Sequence, residues 1–129
     1  NYQVRVQIRT DAATYTSGSW YTITDAAHAI EIEWKAATGV GANNGSISLW
    51  IDGVAKQTKG SIDNDTLRVD EARLGPLAGI DTGTRGMTYF DAFESRRTGY
   101  IGLAAGASLD PAETFGGDLP IYLPLMQKP

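Results

Sequence analysis

The sequence has no cysteine and a single histidine among 129 residues. That excludes disulfides, thiol catalysis and cysteine-ligated zinc, and it removes the usual sign of redox compartment. No apolar run approaches the ~20 residues needed to cross a bilayer as a helix, so no membrane insertion is expected. Clustered basic charge is also missing. The formal charge is −4 and the one basic doublet is Arg96-Arg97, whereas affinity for a phosphate backbone comes from grouped Lys and Arg. No nucleic-acid partner is expected. A helical stripe of apolar residues is nowhere to be found, and no internal repeat stands out.

What is present is ordinary for one globular domain: 42% apolar and 20% charged residues, with fifteen glycines. A chain of this length is large enough to bury a core. Apolar residues recur with a period of two. Val4, Val6 and Ile8 alternate with Arg5, Gln7 and Arg9, and Ile30, Ile32 and Trp34 alternate with Glu31, Glu33 and Lys35, as in half-buried strands. Further strands are expected at 20–24, 46–52, 54–59, 66–74, 87–94 and 100–103. Turn-forming stretches such as TSGS, TGVGANNGS, DND and RRTG separate them. Asp52-Gly53, between Ile51 and Val54, is the strongest hairpin signal, because a type I′ turn requires positive φ at both central residues.

The fold class this predicts is all-β, an antiparallel β-sandwich, occupying residues 1–103. Residues 104–117 read as a loop. In residues 118–129, Ile121, Leu123 and Leu125 alternate around Tyr122, with Pro120, Pro124 and Pro129 interspersed. Proline cannot donate to a ladder, so this is an edge strand or an extended arm. The opening NYQVRVQIR enters strand alternation at once without an initiating Met, which predicts a processed or excised start with both chain ends tied down.

The order HAIEIEWKA, a Gly/Asn loop, GSISLWIDGV, IDNDTLRVDEARLG and GMTYFDAFESRR resembles the laminin G-like, or concanavalin A-like, jelly-roll domains of secreted bacterial proteins over residues 20–102. The residues that carry it are His28, Trp34 and Leu49 through Gly53. The resemblance implies a jelly roll in an extracellular, cell-surface setting, either a compact version of the fold or one of which this chain holds the later part and another chain or segment completes the rest. A sandwich short of its first strands leaves edges open for pairing with a partner strand, and the 118–129 arm is suited to adding to such an edge.

Chemical motifs are few. Glu31 and Glu33 share a strand face about 7 Å apart, as in a hydrolytic carboxylate pair, but the glucanase motif of this fold has a further acid where Trp34, Lys35 and Ala36 stand; a solvated strand face is the plainer reading. His28 has no accompanying Gly-x-Ser-x-Gly elbow and reads as a strand-end residue, as the resemblance also implies. The Gly39–Gly45 loop lacks a following Lys-Ser/Thr and a helix, so it is no phosphate loop. No enzyme activity is expected. Asp63, Asp65, Asp81 and Asp91 carry the hard oxygens calcium prefers; Asp63 and Asp65 equally suit an Asx-type turn, and Asp91 a structural hydrogen bond.

Trp50 falls on the face opposite Ile47, Leu49 and Ile51. There it is either buried under a loop, the tail or another subunit, or exposed as a platform for a sugar ring. Trp20 and Tyr21 are placed to rim either kind of site. Two functions result. One is a non-catalytic extracellular structural or adhesive module that self-associates with other copies into a filament or surface assembly through strand edges and the arm residues Ile121, Tyr122, Leu123 and Leu125. The other is a carbohydrate-binding, lectin-like module of a larger secreted protein, taking glycans.

Overall fold

The computed structural model describes residues 2–75, 82, 83, 85 and 87–103. The fold is all-β with antiparallel sheets, and no helix occurs among the described residues. Among the described residues seven strands are formed: β1 (Tyr2–Val4), β2 (Gln7–Arg9), β3 (Tyr15–Ser17), β4 (Tyr21–Ile23), β5 (Ile30–Lys35), β6 (Gly45–Ile51) and β7 (Val54–Ile62). β1 pairs with β4 and β2 with β3 as two-stranded ribbons, while β5, β6 and β7 form a three-stranded sheet in that order.

The alternating start is not one strand but two. Between Val4 and Gln7 the chain changes partner, from β4 to β3, and Gly18 N donates to Val6 O at 2.8 Å across the change. Alternation survives the switch: Val4, Val6 and Ile8 are all buried. Together with Ile23 they join Ile47, Leu49, Ile51 and Ile62 in one apolar core, with Tyr21, Ile30 and Trp34 packed against it. Each such aliphatic side chain contributes roughly 1.5–3 kcal/mol on burial. β3 falls in a stretch whose Thr, Ser and Gly content reads as a turn; pairing with β2 makes it a strand instead.

The Asp52-Gly53 hairpin forms as its sequence predicts. Ile51 pairs with Val54, and the two intervening residues have φ of 54° and 74°. Strands expected at 66–74, 87–94 and 100–103 do not form among the described residues. Their composition favours extended backbone, but a strand exists only where another supplies its ladder. Ile32 also departs from expectation. It shares the inward face with Ile30 and Trp34, opposite Leu49, yet is 45% exposed. The contacts between ribbons and sheet run from β2 to the central strand β6, and β5 lies at the sheet margin. Residues 104–117 and the 118–129 arm, with Ile121, Tyr122, Leu123 and Leu125, lie outside the described residues, as does Asp81.

Candidate functional site

Trp50 is covered by its own chain. Its ring meets Tyr100 with centroids 5.2 Å apart and planes tilted by 41°, and the Tyr100 hydroxyl donates to Gly53 O at 3.3 Å. Glu31, directly across from Trp50 in the ladder, holds the same segment: its two carboxylate oxygens accept the N–H groups of Ile101 at 2.7 Å and Gly102 at 3.0 Å. Glu33 instead pairs with Lys35 at 3.0 Å. The two glutamates are therefore engaged separately, one with backbone and one with a lysine.

His28 sits between two partners. Thr24 N, which can only donate, approaches Nε2 at 3.2 Å, and the Thr24 hydroxyl lies 2.8 Å from the same nitrogen. The hydrogen-bond pattern therefore assigns the ring proton to Nδ1, which donates to Asp52 Oδ2 at 2.7 Å. Asp52 Oδ1 accepts Ala29 N at 2.9 Å. Asp52 and His28 thus tie the β6–β7 turn to the entry of β5, a strand-end role for the histidine. Although Thr24, His28 and Asp52 line up in the order of a hydrolytic triad, the Thr24 hydroxyl shares Nε2 with its own backbone N–H.

Asp63 and Asp65 are joined by a residue that the sequence did not flag. Asp11, in the β2–β3 turn, places a carboxylate oxygen within 4.8 Å of one from each, a donor set of the kind hard cations prefer. Asp91 is not among them; its carboxylate accepts Ala92 N at 3.0 Å. Asp11 has protein partners already. Thr66 donates its hydroxyl at 2.6 Å and its backbone N–H at 3.2 Å to the two oxygens. The Thr66 hydroxyl holds the Asp11 carboxyl below its ordinary range. Burial, followed by the charges of Asp11 and Asp63, pushes Asp65 up. Asn64, between the two aspartates, is fully buried: its carbonyl accepts Ala37 N at 2.7 Å and its amide donates to Lys35 O at 3.1 Å.

Two concavities adjoin Ile32. A trough of about 360 Å³ runs beside β5, lined by Ile30, Ile32, Trp34, Val69, Leu74 and Phe93 among others. A hollow of about 310 Å³ opens where the two ribbons meet, lined by Arg5, Gln7, Tyr15, Trp20 and Ile32 among others. Trp20 is 41% exposed with the Arg5 guanidinium 4.3 Å from its ring centroid. Tyr21 points the other way, into the core, with its hydroxyl on Lys56 O at 2.9 Å. Of Trp20, Tyr21 and Trp50, only Trp20 lines either concavity.

No protein family model, curated protein or solved structure matches this chain. The reading of its function therefore rests on this geometry.

Proposed function

We propose that this chain is a non-catalytic extracellular structural or adhesive module, the later part of a jelly-roll domain, that associates with copies of itself through its strand edges and C-terminal arm. The observation that carries this reading is β5: six residues long and, among the described residues, at the margin of its sheet, with exposed Ile32 beside the apolar trough. An open margin next to apolar surface is a template for an added strand. The sequence supplies one in Ile121, Leu123 and Leu125, whose alternation suits a segment docking one face into such a trough. The parent protein is expected to form assemblies in electron micrographs, and deleting residues 120–129 abolishes them while leaving a folded monomer in size-exclusion chromatography. Ile32→Lys, which places a charge in the trough, has the same effect. Unchanged elution for both variants overturns the reading.

A second reading, a glycan-binding module of a larger secreted protein, is favoured by the exposed indole of Trp20. Here Trp20, rather than the Tyr100-covered Trp50, is the platform. Polysaccharide pull-down that Trp20→Ala removes and Trp50→Phe preserves supports this reading; no pull-down by the parent protein rejects it.

A further inference from the structure

We infer that the hollow between the ribbons binds an acidic saccharide, a pyranose ring bearing a carboxylate, an inference that rests on the glycan-binding reading and adds the class of ligand. The site follows from the strand switch at Arg5 and Val6. Because Val4, Val6 and Ile8 point into the core, Arg5 and Gln7 stand on the opposite side. β4 follows directly on Trp20, and β3 begins with Tyr15, itself 67% exposed. The seam thus gathers two aromatic rings, an amide and a guanidinium around a hollow of about 310 Å³ that Val6, Ile32 and Ile47 also line. That volume lies at the lower end of the ~300–1,000 Å³ typical of small-molecule sites.

Each group has a use that a sugar acid meets. The indole of Trp20 carries Arg5 against its ring, while 41% of the residue stays open to take the C–H face of a sugar ring. Arg5 forms no ion pair among the described residues, whereas Arg73 and Arg96 hold Glu71 and Glu94. A guanidinium resting against an aromatic ring keeps a fork of N–H donors that matches a carboxylate. Gln7 spends its amide N–H on Ser17 Oγ at 2.7 Å, which leaves its carbonyl oxygen to accept from a sugar hydroxyl. A neutral sugar would use the ring and the amide but leave the Arg5 N–H donors without an anion, which a sugar carboxylate supplies.

The test is isothermal titration of the full chain with galacturonate oligosaccharides, with the same oligosaccharides methyl-esterified, and with neutral galactose oligosaccharides. The acid form binds at least about tenfold more tightly than its ester, and added salt reduces the difference. Arg5→Gln removes that preference, Arg5→Lys restores part of it, and Trp20→Ala weakens the acid and ester forms alike, with Trp50→Phe unchanged. Circular dichroism checks that each variant folds; should Trp20→Ala fail to fold, exposed Tyr15→Ala takes its place. Equal binding of acid and ester, with Arg5→Gln indifferent, overturns the acidic class and leaves glycan binding standing. Binding of none of the three overturns both.

Discussion

Asp52 and His28, twenty-four positions apart, are joined by a 2.7 Å contact between a carboxylate oxygen and ring Nδ1. Two donors converge on that carboxylate, His28 Nδ1–H and Ala29 N–H. As a turn, Asn-Gly serves a type I′ hairpin as well as Asp-Gly, so the local sequence treats Asp52→Asn as neutral. The tertiary contacts reverse this. An amide offers one acceptor and one NH₂, and whichever way it is turned a donor faces a donor. Asp52→Asn therefore destabilises by about 1–3 kcal/mol, read from the urea midpoint; an unchanged midpoint shows that the ring contact contributes nothing.

Gly45 and Asn64 form a matched pair. A β-carbon on Gly45 would fall on the Asn64 side-chain oxygen, which is committed to Ala37 N in a fully buried position. Asn64→Ala strands that N–H and the Lys35 carbonyl, at a cost of about 2–4 kcal/mol. Gly45→Ala displaces the same amide and is destabilising to a similar degree. In Gly45→Ala/Asn64→Ala the two losses combine to less than their sum, since both act on one set of hydrogen bonds. Strict additivity in denaturant melts breaks this link.

The hold of Glu31 on residues 101 and 102 is open to hydrogen exchange. Removing the carboxylate in Glu31→Ala frees the two N–H groups and loosens the cover over Trp50. The Ile101 and Gly102 amides then exchange about tenfold faster or more, corresponding to ~1.4 kcal/mol of lost local protection, while the β6 amides keep theirs. Unaltered exchange at 101 and 102 contradicts the assignment.

Asp11 and Asp65 respond to acid with opposite signs. The Thr66 hydroxyl lowers the Asp11 carboxyl, so its contribution to stability is present above the unfolded value and is lost as pH falls through the folded one. Burial and the neighbouring carboxylates raise Asp65; its favourable contribution exists while it is protonated and disappears as pH rises through the folded value. Asp65→Asn is accordingly more stable than the parent at pH 7, a gain that shrinks to nothing below the ordinary 3.8 of an aspartate, whereas Asp11→Asn is less stable at pH 7. Melting curves from pH 3 to 7 in EDTA check both. The same variant separates two uses of the trio: a calcium-dependent rise in parental Tm that Asp65→Asn removes assigns it to a cation, and an indifferent Tm assigns it to the Thr66 turn.

The sequence by itself determined what depends on a few adjacent residues. Alternation set the face of Val4, Val6, Ile8, Ile47, Leu49 and Ile51, because successive strand side chains point to opposite sides. Asp52-Gly53 specified its own turn through the φ angles it tolerates, and the want of any helical stripe excluded helices over the described residues. What the tertiary structure alone decided was pairing and cover: that the first alternating run divides between β3 and β4, that 66–74 finds no partner strand, that β5 lies at a margin with Ile32 exposed, that Tyr100 rests on Trp50, and that Asp11 reaches Asp63 and Asp65. Each of these joins residues far apart in the chain. Such contacts depend on which long loops close and which strands are available to pair, and no local pattern encodes that choice.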